Sequence, residues 1–215
     1  MIRPIQLEAV VAVGERPALL AAAQQLSEAL RTAAGVDWPI ELRLRDAGAQ
    51  PAAAADSIVI LSLLPEVTSA EPLAAVEAGW RARLAALAPT GAPVLLMTVF
   101  RHLADRTSAG GADRLERIRR LNGLALSLSQ DLHAEVIDID RAFAHIGART
   151  LQTDYRLGGR LAAEVAGHGI VLAILSLGLD ELIPIETQQR AMAFHGPLRD
   201  IDKLVNRRLN QAARA

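Results

Sequence analysis

The sequence predicts a three-layer α/β/α sandwich around a five-stranded parallel sheet, with the strands in spatial order 2-1-3-4-5. Three observations predict it. Five short runs of β-branched and aliphatic residues alternate with stretches of helical periodicity, and parallel strands need crossovers of that length. The run Ser57 to Leu64 is almost wholly apolar, as strands covered on both faces are, and Pro93 to Phe100 reads as the next buried strand. Of the 215 residues, 51% are hydrophobic and 22% charged, which supports one large core and excludes a disordered chain.

Taken in order, Ile5 to Val13 is the first strand, closed by Gly14. Pro17 then suits the opening turn of a helix running to Leu30. Ile40 to Arg45 alternates apolar and charged residues, the pattern of an edge strand with one wet face. After the strand that starts at Ser57, Glu71 to Leu87 places Ala74, Val76, Trp80, Leu84 and Leu87 at helical spacing. Asp113 to His133 does the same with Leu115, Ile118, Leu121, Leu124, Ala125 and Leu128. Glu135 to Ile139 is a short fifth strand, and a loop holding Gly147 leads to a last core helix from about Gly158. Residues 1–183 make up this α/β domain, and residues 184–215 a C-terminal helical extension punctuated by Pro184 and Pro197. Leu198 to Arg214 reads as a helix bearing Arg199, Lys203, Arg207, Arg208 and Arg214; it either packs on its own domain or meets a protein partner.

Composition removes several functions. A formal charge of -1 leaves no broad basic surface, so no nucleic-acid partner is expected. The absence of cysteine excludes disulfides, thiolate catalysis and thiolate-bound metals. The five histidines are scattered without metal-ligand spacing, so neither a metal nor another cofactor is expected. Glu8 interrupts the apolar stretch that a secretory leader would need, while Glu164 and His168 interrupt the run from Ala162 to Leu179. That run reads as a buried helix rather than a membrane span, and residence in the cytoplasm is the expectation.

In a sheet of this order the ligand crevice lies at the carboxyl ends of the strands. Those ends hold Gly14, Glu15 and Arg16; Asp46 and Gly48; Ser62, Pro65 and Glu66; Arg101 and His102; and Asp138, Asp140 and Arg141. Thr153, Asp154, Tyr155 and Arg156 follow before the last core helix. The predicted crevice is polar and rich in both charges.

The blocks Leu121-Asn122-Gly123-Leu124-Ala125, Glu135-Val136-Ile137-Asp138-Ile139-Asp140 and Thr153-Asp154-Tyr155-Arg156-Leu157-Gly158-Gly159 carry a likeness. Together they resemble the SGNH hydrolases, also called GDSL esterases, and the pattern spans about residues 5 to 180. The resemblance implies the five-strand sandwich, with a serine nucleophile after the first strand, an Asn donor after the third and an Asp-x-x-His block before the last helix. This chain departs from that pattern at each point. The first turn reads Gly14-Glu15-Arg16-Pro17, with arginine where the serine would stand; Leu61-Ser62-Leu63-Leu64-Pro65-Glu66 offers no Asn; and Leu157 takes the histidine position after Asp154.

Ester hydrolysis of this kind needs a hydroxyl to attack, an imidazole to take its proton and a donor for the oxyanion. A guanidinium cannot replace the hydroxyl, because it stays protonated and offers no lone pair. The expectation is therefore an inert pocket that binds a small anionic or glycan ligand, or serves a partner, as an accessory in polysaccharide or acyl-group metabolism. Arg16, Arg101, Tyr155 and Arg156 are its candidate ligand-binding residues. Arg16 and Arg101 would clamp an anion, the competing role for Arg16 being an ion pair with Glu15, Glu66 or Asp154. The alternative is an active esterase or deacetylase with a relocated set of Ser62, His102 and Asp154, against which Asp154 reads as a helix N-cap. A flavodoxin-like nucleotide domain fits less well, since Gly14 is the only glycine after the first strand.

Overall fold

A computed structural model describes residues 3–105, 110–176, 179, 182–197 and 200–212. Five strands, β1 (Ile5–Val11), β2 (Ile40–Asp46), β3 (Ser57–Ser62), β4 (Val94–Met97) and β5 (Glu135–Ile137), form one sheet in the order β2-β1-β3-β4-β5. Every neighbouring pair is parallel. The expected order is the one found, and the period-2 alternation divides each central strand between two cores. Ile5, Leu7, Ala9 and Val11, with Ile58, Ile60, Leu95 and Met97, face one layer of helices. Val10, Val59, Leu61 and Leu96 face the other.

The helices are α1 (Arg16–Ala34), α2 (Leu73–Leu87), α3 (Gly111–Leu132), α4 (Ile139–Ile146), α5 (Ala148–Leu151), α6 (Arg160–Ser176), α7 (Ile185–His195) and α8 (Ile201–Ala212). Helices α2 and α3 cover one face through Val76, Trp80, Leu84, Ile118, Leu121 and Leu128. On the other face α1 and α6 pack closely because small residues meet. A Cβ built on Gly167 would stand 2.9 Å from the Ala22 backbone nitrogen, so only glycine fits there.

Two elements differ from expectation. The fourth strand leaves the ladder after Met97, and Asn122 of α3 takes over as its partner. Its side chain accepts from the Val99 N–H at 2.8 Å and donates to the Val99 carbonyl at 2.8 Å, standing in for a strand neighbour. The loop expected before Gly147 is instead α4, with Asp138 as its N-cap accepting from the Arg141 N–H at 2.9 Å. Ile139, Ala142 and Phe143 repeat at helical spacing there and are buried.

The segment from 184 onward shares the main core: Ala191 of α7 and Ile201 and Val205 of α8 lie in the α1/α6 cluster. Lys203 pairs with Asp200 at 3.1 Å. Of the expected basic residues of this helix, Arg199 and Arg214 fall outside the described residues, as do the side chains of Arg207 and Arg208. Among the described residues no helix is long and apolar enough to cross a membrane.

Candidate functional site

The turn from β1 into α1 is one tight loop, and Gly14 is the residue that lets it sit where it does. A Cβ there would stand 3.1 Å from the Arg156 carbonyl oxygen, so the turn and the Asp154–Leu157 segment are in contact at the mouth of the central strands. The strand-end blocks therefore converge. Glu15 folds inward and is 1% exposed. Its Oε2 accepts from the Ala12 N–H at 2.8 Å and its Oε1 from the Ser62 hydroxyl at 2.5 Å. Burial pushes the Glu15 carboxyl up to about 7, against the opposing pull of those two hydrogen bonds. Sequence reasoning placed Glu15 at the crevice without giving it this role; its only signal was an acid directly after the strand-ending glycine.

Ser62 is occupied by this arrangement. Its Oγ donates to Glu15, accepts from the Leu64 N–H at 3.0 Å, and is buried at the end of β3. No hydrogen bond joins it to His102. His102 is half-buried, stacks on Phe100 at 5.7 Å between ring centroids, and accepts from the Tyr155 N–H at 2.9 Å through its backbone carbonyl.

Arg16 opens α1, and its Nη2 donates to Asp46 Oδ1 at 2.6 Å, while its Nε is buried without a partner. The carboxylate is none of the three foreseen. The reason lies in the register: β1 and β2 pair so that Val11 is opposite Asp46, which sets that acid beside the next turn. Arg101 pairs with Asp140, through Nε at 2.5 Å and its backbone N–H at 2.8 Å. Asp46 ends the edge strand β2, whereas Asp140 follows β5 at the opposite edge. The two guanidinium groups are thus drawn apart and do not meet as the anion clamp expected of them.

Asp154 does not cap the last core helix, which starts at Arg160. It accepts from the Arg156 N–H at 3.0 Å and holds the Arg156 guanidinium in a fork, with Nη2 at 2.5 Å. Burial would raise this carboxyl, but the Arg156 bonds and charge, together with the charge of His102, hold it below the ordinary value. Leu157, at the place of the family's histidine, has φ 59° and is buried among the α1/α6 residues.

Tyr155 is 9% exposed, with Arg156 5.5 Å and Arg114 6.0 Å from its ring centroid. Arg114, on the first turn of α3, was not anticipated, because nothing local marks one arginine of a helix as facing a distant tyrosine. Among the described residues no group of three or more His, Asp or Glu is placed to hold a metal. The strand ends hold three Arg–carboxylate pairs, groups that can donate to and accept from hydroxyls and oxyanions.

No family model matches the sequence, and no curated protein matches it. Solved structures do. An acetyl xylan esterase, AlAXEase, is 13% identical with a TM-score of 0.55, covering 78% of this chain and 98% of its own. A lipase/acylhydrolase from Enterococcus faecalis is 14% identical with a TM-score of 0.54, over 79% of this chain and 94% of that one. A putative SGNH hydrolase from Slackia heliotrinireducens is 12% identical with a TM-score of 0.50, over 80% and 98%. At these identities the likeness is one of fold: the chain has an SGNH-hydrolase-like α/β fold.

Proposed function

We propose that the strand-end crevice is a non-hydrolytic binding site for a small anionic or glycan ligand, and that the chain acts as an accessory in polysaccharide or acyl-group metabolism. The observation that carries this reading is Arg16 at the opening of α1, where the resemblance sets the attacking serine, with the nearby Ser62 hydroxyl buried and donating to Glu15. A guanidinium has no lone pair to attack with, and a hydroxyl locked to a carboxylate is not presented to a ligand. The enzymes of similar fold, an acetyl xylan esterase and a lipase/acylhydrolase, motivate acylated polysaccharide as the first ligand class to try.

One observation favours the esterase alternative: the His102 carbonyl accepts from the Tyr155 N–H at 2.9 Å, which sets the histidine's backbone beside the Asp154 segment. The experiment measures hydrolysis of nitrophenyl acetate and of acetylated xylo-oligosaccharides, alongside calorimetric binding of the same sugars. The expected result is binding without turnover, with binding weakened in Arg101→Ala. Turnover that is lost in both Ser62→Ala and His102→Ala would establish the relocated triad and end the non-hydrolytic reading.

A further inference from the structure

Three arginines of the crevice have their charge answered: Arg16 by Asp46, Arg101 by Asp140 and Arg156 by Asp154. Among the described residues, Arg114 and Arg117 of α3 have no carboxylate answering theirs. Arg114 makes no ion pair with a carboxylate among the described residues, and its guanidinium lies 6.0 Å from the centroid of the Tyr155 ring, which it shares with Arg156. Arg117, one turn further along α3, gives Nε to the Glu66 carbonyl at 2.6 Å and Nη1 to the Glu71 carbonyl at 2.9 Å, and its Nη2 is buried without a partner. The acid in that loop, Glu66, uses its Oε1 to accept from Trp80 Nε1 at 3.2 Å. Arg156 is answered by Asp154, so Arg114 is the guanidinium at this ring whose charge has no carboxylate partner among the described residues.

We infer that Arg114 is a specificity residue: with Arg156 it receives the carboxylate or sulfate group of an acidic glycan bound at the strand ends, while the Arg–Asp pairs there take its neutral hydroxyls. This inference rests on the reading of the crevice as a glycan site. A planar guanidinium suits such an oxyanion because it offers two parallel N–H bonds, and an incoming anion would supply the partner that Arg114 lacks among the described residues. Arg117 holds its own loop through the two carbonyls, so it adds positive charge without being free to move.

The test is calorimetry on the full chain with a uronate-bearing xylo-oligosaccharide, its carboxyl-reduced neutral counterpart, a sulfated counterpart and inorganic sulfate. Parent protein should bind the acidic sugars about tenfold more tightly than the neutral one, the scale of one charge-assisted bidentate contact. Arg114→Ala should erase that preference, Arg114→Lys should keep part of it, and Arg119→Ala, whose side chain pairs with Glu116, should keep all of it. Melting curves of each variant confirm folding. Equal affinity for acidic and neutral sugars in the parent overturns the inference and leaves the glycan reading standing. Binding of sulfate that Arg114→Ala removes, with no sugar bound, upholds the oxyanion site and defeats the glycan reading instead. No response to any of the four ligands overturns both.

Discussion

Replacing Glu15 by glutamine isolates the energetic cost of the buried carboxyl under the crevice. The ordinary value is 4.5 and burial raises it to about 7, a gap worth about 3 kcal/mol of ionisation penalty in the folded protein. The sign follows from proton binding. Between those two values the folded state holds the Glu15 proton and the unfolded state does not, so stability falls as pH rises through the window and levels off above it. Glutamine cannot ionise; its carbonyl can accept from the Ala12 N–H, and its amide can donate to Ser62 Oγ beside the bond from Leu64, reversing the direction of the bond that Ser62 makes to Glu15. The assay is urea unfolding of parent and Glu15→Gln at pH 5, 6, 7 and 8. The variant should gain on the parent with rising pH, by up to about 3 kcal/mol at pH 8. Taking the difference removes every other titration the two proteins share. A difference that stays constant across the series would show that the carboxyl ionises at its ordinary value, and the account of the buried pair would fail.

Gly167→Ala should lower the melting temperature, since the added methyl would stand 2.9 Å from the Ala22 backbone nitrogen; the overpacking cost of about 1–3 kcal/mol exceeds the helix-propensity gain of about 1 kcal/mol, and an unchanged or raised midpoint refutes the close packing. His168 is pushed down to about 4 by burial and by the charge of the stacked His195, with Asp200 and the Gly196 and Pro197 backbone opposing. Its stability contribution is therefore present above 6.5 and lost as pH falls toward about 4, and His168→Gln should flatten that acid limb in unfolding experiments. Asn122→Ala deletes both bonds to the Val99 backbone and should cost about 1–3 kcal/mol in chemical unfolding, whereas a loss near zero would mean water replaces the side chain. Arg16→Ala should change stability by less than about 1 kcal/mol, because Asp46 is largely exposed, yet should weaken calorimetric binding of the crevice ligand.

Much of the fold was legible because it is written in local periodicity. Apolar runs such as Ile58–Leu61 announce two-sided burial, and intervening helices of fixed length force parallel pairing. The short α4 was missed although Asp138 and the spacing of Ile139, Ala142 and Phe143 signalled it; the glycine that closes it was read as the mark of a loop. At the site, Arg16, Asp154 and Tyr155 could be named from their place after strands. Their partners could not, because Asp46 reaches Arg16 through strand register and Arg114 reaches Tyr155 from a helix distant in sequence.

From the residues alone came the strand order and the absence of cysteine chemistry. Those follow from residue type and spacing, which need no third dimension. Only the folded chain decided which carboxylate answers each guanidinium, that Ser62 is locked to a buried Glu15, and that no carboxylate among the described residues answers Arg114. Pairing and burial depend on distances between segments far apart in sequence, and those distances are fixed by register and packing rather than by any local pattern.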